Sequence, residues 1–358
     1  MRRHFTLLVL VAVAACKRGG SNADAGAAAT AGGPHTFALP ASVKLEAPKP
    51  KDLGGKHVVA EVCKLDTAGS VMQSQDFSHA IGGIVAAPDG SVYLVDHEGK
   101  LRHYTVQTSP CQLALDPKFG TGGVLAMEPK PDDSKEYDTV SIDPKGNLYV
   151  SGGGAKAKLV TPAGQVSTAC EDTGRFFVDR VNGDTYLRDK RVTVAAGGKC
   201  EPVSAKETWE GWPAKDAHAE VEDAVNGLVF LDGWIKEKGK MVTKMGVHKP
   251  DGKKLELVGE EKGDGEICSS AAMQPCALGY CVLDANCREM RAWSTAGGKL
   301  VGAFDVNELF GVGYSWPEGL FVTKGVTWAT FSEQGEKDDK ADAEAPHFGF
   351  VARITGLD

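Results

Sequence analysis

From about residue 57 onward, apolar and polar residues recur in one unit: a short apolar strand, a tight turn ending in glycine, and a second strand of β-branched or aromatic residues. The unit runs through Gly83–Asp96, Val140–Val150, Phe177–Asp189, Ala224–Asp232, Ala271–Asp284 and Tyr314–Lys324. Its turns are Pro88-Asp89-Gly90, Pro144-Lys145-Gly146, Asn182-Gly183, Asn226-Gly227, Leu278-Gly279 and Pro317-Glu318-Gly319. Asn-Gly and Asp-Gly steps favour hairpin turns that need positive φ, and alternation with period two places one face of each strand toward a core. Successive turn glycines lie 56, 37, 44, 52 and 40 residues apart, a spacing of propeller-blade size. A single blade cannot cover both of its faces, whereas a ring of blades covers them and leaves only short edges. Sustained helical periodicity is missing from the repeats. The pattern therefore predicts an all-β fold, a six-bladed β-propeller over residues 57–358; the degeneracy of the copies leaves a seven-bladed count open.

Leu283-Asp284-Ala285-Asn286-Cys287-Arg288-Glu289-Met290-Arg291-Ala292-Trp293 resembles the Asp-x-x-Asn-x-Arg core of NHL-type repeats, and the Pro-Asp-Gly turn of the first unit is similar to theirs. The resemblance implies an NHL-like propeller. Closing such a ring requires a strand from one terminus beside a strand from the other. His57-Val58-Val59-Ala60-Glu61-Val62-Cys63 is expected to pair with Phe348-Gly349-Phe350-Val351-Ala352-Arg353-Ile354. The acidic, lysine-containing stretch between Glu333 and Pro346 is expected to be a solvated loop.

The N-terminus changes the picture from a free domain to a tethered one. Arg2 and Arg3 precede an apolar segment, Phe5 to Val13, that is far shorter than the roughly 20 residues of a membrane-spanning helix. It ends in Val13-Ala14-Ala15-Cys16, which resembles the lipobox of bacterial lipoproteins. That resemblance implies a signal peptide over 1–15, cleavage before Cys16, and palmitate-type acyl chains on Cys16 that hold the protein on a membrane. Lys17 after the cysteine resembles the signal for outer-membrane sorting, so the expected location is the cell envelope, lipid-anchored at a bacterial outer membrane and facing the periplasm or the exterior. Residues 16–56, rich in Ala, Gly, Ser and Pro, are expected to form a disordered, flexible tether. The whole chain carries a net charge of -8, and loss of Arg2 and Arg3 makes the mature protein about -10, which disfavours nucleic acid as a partner.

Nine cysteines are present. With Cys16 assigned to lipid, the even remainder in an exported chain points to disulfides among Cys63, Cys111, Cys170, Cys200, Cys268, Cys276, Cys281 and Cys287. Proximity favours Cys170 with Cys200 and Cys276 with Cys281, leaving Cys63 with Cys111 and Cys268 with Cys287. The C-x-x-C spacing of structural zinc sites is absent.

Candidate chemistry is sparse. Asp96, Asp189, Asp232 and Asp284 recur after the second strand of their units, where they could ligate Ca²⁺ or simply cap turns. Six-bladed lactonases resemble the chain in architecture, and that resemblance implies a divalent metal held by Glu, two Asn and Asp. The corresponding Glu-Gly-Pro motif is missing from residues 57–90, and Glu318-Gly319 occurs only in the last unit. No His-Glu-x-x-His, Gly-x-Ser-x-Gly or phosphate loop appears, and His97-Glu98 is the nearest approach to an acid/base pair. Trp209 and Trp212 lie in a segment without alternation and could anchor a protein, stack on a sugar or pack beneath a blade. These features favour a non-enzymatic binding or scaffold module that needs no cofactor and engages an envelope protein or a saccharide; a calcium-dependent lactonase or hydrolase is the alternative. Cys16→Ser is expected to move the protein from the membrane to the soluble fraction in cell fractionation, and retention in the membrane would count against lipidation.

Overall fold

The computed structural model describes residues 50–65, 72–74, 81–96, 99–127, 137–195, 197–203, 209–212, 217–250, 254–261, 270–284, 289–293, 300–305, 315–323, 326–334 and 347–357. All regular structure among these residues is β, and no helix is long and apolar enough to cross a membrane. The strands form six sheets. The first blade runs outward through β5 (Ile84–Ala86), β6 (Val92–Val95), β7 (Lys100–Thr108) and β8 (Cys111–Leu115), with β3 (Lys64–Leu65) parallel to β8 and β9 (Val124–Ala126) beside β7. The second comprises β10 (Thr139–Ile142), β11 (Leu148–Val160) and β12 (Val166–Gly174). The third contains β13 (Phe176–Val178), β14 (Thr185–Leu187), β15 (Lys190–Val194) and β16 (Cys200–Pro202). The fourth contains β17 (Ala217–Val225), β18 (Leu228–Glu237), β19 (Lys240–His248) and β20 (Lys254–Glu261). The fifth contains β21 (Ser270–Cys276), β22 (Gly279–Asp284), β23 (Glu289–Trp293) and β24 (Leu300–Asp305). The sixth combines β25 (Ser315–Thr323), β26 (Val326–Gln334) and β27 (His347–Thr355) with β1 (Lys51–Leu53), β2 (Lys56–Val62) and β4 (Met72–Ser74). Inner strands pack side by side in the order β5, β10, β13, β17, β21, β25 and back to β5, which closes a six-bladed β-propeller.

Closure follows the expected pairing. β2 runs antiparallel to β27 in the register Val59 with Thr355, Ala60 with Ile354, Glu61 with Arg353 and Val62 with Ala352. β1 begins at Lys51, ahead of the expected start at His57, and turns back onto β2. Glu61 joins the closing strand to two blades: Oε2 accepts from Arg353 Nη2 at 3.0 Å and Oε1 from the Cys111 amide at 2.8 Å. The disulfide Cys63–Cys111 fastens the same junction covalently. Cys170–Cys200 and Cys276–Cys281 are also formed, as spacing predicts. Cys268 and Cys287 lie outside the described residues, as do Cys16 and the segment 335–346.

Blades pack through aromatic side chains, which bury the most area per residue. Tyr149 stacks on Phe176 at 5.3 Å between blades two and three, and Phe230 meets Tyr280 edge to face at 5.6 Å between blades four and five. The turns behave as the glycines predict at Gly90, Gly146, Gly183, Gly227 and Gly279, all of which have positive φ. Gly319 departs from that expectation. It lies inside β25 rather than in a turn, beside a register shift between Pro317 and Gly319. A Cβ there would stand 2.9 Å from Thr330 Oγ1 and 3.1 Å from the Gly83 Cα, so the glycine serves close inter-blade approach. The connection from β25 to β26 falls instead at 324–325, outside the described residues.

Carboxylates shape several of these turns. Asp143 Oδ1 accepts from the amides of Lys145 and Asn147 at 2.8 and 2.9 Å, and Asp89 Oδ1 accepts from Ser91 at 2.9 Å. Asp179 goes further and clasps two blades. It takes the amides of Val181 (2.8 Å) and Asn182 (3.3 Å) in its own turn and those of Asn226 (2.9 Å) and Gly227 (2.7 Å) in the turn of blade four. Hydrogen bonds to a buried carboxylate are the strong kind, and Asp179 is only 1% exposed. Asp179→Ala would orphan four amides at once and is expected to lower unfolding free energy by roughly 3 kcal/mol. Urea denaturation measures this, and a loss below about 0.5 kcal/mol would contradict the clasp.

Candidate functional site

The inner strands carry polar side chains at positions where a closed ring leaves an axial space. They enclose a cavity of about 270 Å³, at the lower end of small-molecule sites. Two groups of contacts line it. In the first, Arg175, just ahead of β13, reaches Asp138, just ahead of β10: Nη2 lies 3.0 Å and Nε 3.3 Å from Asp138 Oδ2. Arg175 Nη1 also stands 3.9 Å from Glu222 Oε1 on β17. In the second, Arg180, just past β13, lies with its guanidinium carbon 4.6 Å from the centroid of the Phe321 ring. It donates to Gln274 Oε1 at 3.2 Å and to the Val322 carbonyl at 3.1 Å. Gln274 in turn imitates a strand partner for β25, donating to the Leu320 carbonyl at 2.9 Å and accepting from the Val322 amide at 2.5 Å.

A wider funnel of about 1250 Å³ opens on the turn side, lined by Asp89, Pro144, Val181, Ala277 and Thr323 among others. Arg180, Ile142 and Phe321 line both spaces and form the layer between them. Arg175, with 38% of its side chain exposed, lines the inner cavity only.

The electrostatics follow from burial. Glu222 is 8% and Asp223 9% exposed on the inner strand β17. Burial pushes the Glu222 carboxyl well above the usual carboxylate range; Arg175 opposes the shift, and Asp232, Glu220 and Asp138 add to it. Burial likewise pushes Asp223 up to about 7, against the pull of Arg180, of the Ala224 amide and of the Gln274 side chain, with Asp179 adding to the shift. Asp138, ahead of Glu222, holds the Arg175 guanidinium above its ordinary value, while burial draws Arg180 down despite Asp223 and Asp179.

Asp96, Asp189 and Asp232, singled out by repeat position, lie in three different blades. Asp96 caps the β6–β7 turn, accepting from the Lys100 amide at 2.9 Å and pairing with Arg102. Asp189 lies between β14 and β15, half-buried, and Asp232 sits within β18 with Oδ1 on the Gly233 amide at 2.7 Å. Asp284 ends β22 opposite Ser270. Among the described residues no group of three or more His, Cys, Asp and Glu side chains could hold a metal ion. The axial carboxyls are not gathered into a calcium cage either, since Asp138 is taken by Arg175 and no three ligating side chains converge among the described residues. No asparagine lines the cavity, so the donor set of the lactonase resemblance is not assembled there.

Trp209 and Trp212 are 5% and 6% exposed and pack with Phe177, Tyr186 and Leu231; Trp209 Nε1 donates to the Asp189 carbonyl at 2.8 Å. They occupy the packing role rather than presenting free ring faces. His97 and Glu98 lie outside the described residues. The axial residues Asp138, Arg175, Arg180, Glu222, Asp223 and Gln274 were not among the sequence candidates. Their signal is slight: Glu222-Asp223 interrupts the otherwise apolar Val221–Val225 strand, and Arg175 and Arg180 flank the short run Phe176-Phe177-Val178.

No protein-family profile matches the chain, and no curated protein matches it. Among solved structures it is similar to streptogramin B lyase, with 11% identity, 81% of this chain and 97% of that one covered, and a TM-score of 0.45. It is also similar to the PQQ-bound aldose sugar dehydrogenase from Streptomyces coelicolor (12% identity, 85% and 100% covered, TM-score 0.42). A third is a structural-genomics protein of unknown function from Bacteroides thetaiotaomicron (10% identity, 82% and 76% covered, TM-score 0.46).

The raised Asp223 gives a test with a definite sign. Its folded-state value of about 7 against an ordinary 3.8 means that the folded protein binds the proton more tightly, so stability falls as pH rises from about 4 to 7 and levels off above. Asp223→Asn removes an ionised buried group only at high pH. The variant is expected to be more stable than the parent at pH 8, by on the order of a few kcal/mol, and equal to it near pH 4. Thermal melts across pH check this, and a gap that does not grow with pH would refute it.

Proposed function

We propose that this protein is a lipid-anchored envelope β-propeller that binds a small saccharide in its axial cavity without transforming it. The observation that carries the reading is the convergence of carboxyl, guanidinium and carboxamide groups from five blades on one enclosed space: Asp138, Arg175 with Arg180, Glu222 with Asp223, Gln274 and Glu318. Sugar hydroxyls both donate and accept, and such a mixed lining satisfies both kinds of bond. Phe177 also lines the space and offers the apolar surface that a pyranose face requires. The cavity volume, about 270 Å³, suits a single small molecule rather than a protein segment. Anchoring follows from the lipobox resemblance at Cys16, and the NHL resemblance around Asp284–Trp293 supports a propeller used for recognition. The partnered carboxyls favour this over a calcium-dependent hydrolase.

Titration calorimetry of the detergent-solubilised protein with a panel of monosaccharides is the test. Binding is expected for at least one neutral hexose, and Thr139→Phe, which fills the cavity at the residue after Asp138, is expected to abolish it. Heat from no sugar, or calcium-stimulated lactone hydrolysis, would overturn the reading.

A further inference from the structure

Within the axial cavity the Asp223 carboxyl is only partly hydrogen-bonded. Asp223 Oδ1 accepts from the Ala224 amide at 2.7 Å, but Oδ2 has no hydrogen-bond partner although the residue is only 9% exposed. Arg180 Nη1 stands 3.8 Å from that oxygen, beyond hydrogen-bond reach. The Gln274 amide nitrogen is given to the Leu320 carbonyl. Burying an acceptor without its bond is costly, so the oxygen marks a place where a donor is missing.

The charges around it indicate what kind of donor. Four carboxyl groups line the cavity, Asp138, Glu222, Asp223 and Glu318, against two guanidiniums. Arg175 is held by Asp138 at 3.0 Å, with Glu222 more distant at 3.9 Å, so Arg175 does not serve Asp223. Arg180 spends its donors on Gln274 and the Val322 carbonyl. The cavity thus holds more carboxyl groups than guanidiniums, and Asp223 keeps one oxygen without a hydrogen bond although Arg180 stands 3.8 Å away. A ligand that brings one positive charge and a strong donor complements it better than a neutral one.

Resting on the reading of the cavity as a saccharide site, we propose that the preferred ligand is a hydroxylated primary amine, an amino sugar by chemical class, whose ammonium group donates to Asp223 Oδ2. Its hydroxyls would meet the far end of the cavity at Glu222 and Asp138. Burial holds Asp223 near the balance point between acid and carboxylate, with Arg180 opposing and Asp179 adding to the shift, and an adjacent ammonium settles it as the carboxylate.

Calorimetry on the detergent-solubilised full chain at neutral pH, with D-glucosamine, D-glucose and N-acetyl-D-glucosamine as probes, separates the outcomes. Glucosamine is expected to bind roughly tenfold or more tighter than glucose, as a charge-assisted bond allows. N-acetylglucosamine, with the same skeleton and no charge, gains no such advantage. In Asp223→Asn the ratio of glucosamine to glucose affinity is expected to fall to about one. Glucose equal to or tighter than glucosamine in the parent protein overturns this inference while leaving the saccharide reading in place. A preference that persists in Asp223→Asn also overturns it, and absence of binding by all three probes removes both.

Discussion

The antiparallel pairing of β2 with β27 is the contact on which the rest of the structure depends. Each blade is a twisted sheet with two faces to cover and two edges to protect, and only a closed ring does both. The pairing brings together residues about 290 positions apart, such as Glu61 and Arg353, at a large cost in chain entropy. That junction is accordingly reinforced three times, by the strand ladder, by Glu61 bridging Arg353 and the Cys111 amide, and by Cys63–Cys111. Once the ring is shut, the inner strands are held close enough for Gly319 to pass beside Gly83 and Thr330. The axial cavity exists only as a consequence of that closure.

Polar groups along the axis then face a common constraint. The inner strands of neighbouring blades splay, so their edges cannot pair fully with each other, and side chains take over as backbone partners. Gln274 bonds the carbonyl of Leu320 and the amide of Val322, Ser151 Oγ accepts from the Phe176 amide at 2.8 Å, and Thr330 Oγ1 donates to the Gly82 carbonyl at 2.7 Å. Asp179 does the same for the turns of blades three and four. Most of the buried polar groups near the axis are therefore structural. Asp223 differs in that one of its oxygens makes no hydrogen bond.

Two arginines flanking one short strand divide the labour. Arg175 balances Asp138, while Arg180, against Phe321, lies in the layer between the cavity and the funnel. Their spacing places one guanidinium ahead of β13 and one past it, so a three-residue strand sets both ends of the site.

Local rules made much of this fold legible in the chain. Turn glycines, period-two alternation and the spacing of the copies determine the strands and the hairpins, because φ preference and one-sided burial act over a few residues, while the choice between six and seven blades came only from the closed ring. The closing partner of β2 was also readable, since Phe348–Ile354 is the last apolar run of the chain. Three of the disulfides followed from proximity along the chain and from what remained. Of the two readings of the repeat aspartates, Asp96 follows the turn-capping one, and Asp96, Asp189 and Asp232 sit in separate blades. Gly319 looked like a turn glycine because its neighbours are Pro317 and Glu318, yet it packs within a strand. What faces the axis depends on which residue of each inner strand points inward and on how six blades are phased around the ring. Those are properties of side chains brought together from positions 138 to 318, and no local pattern encodes them. Hence Glu222-Asp223, a small interruption in an apolar strand of the sequence, becomes the centre of the site only when the ring is closed.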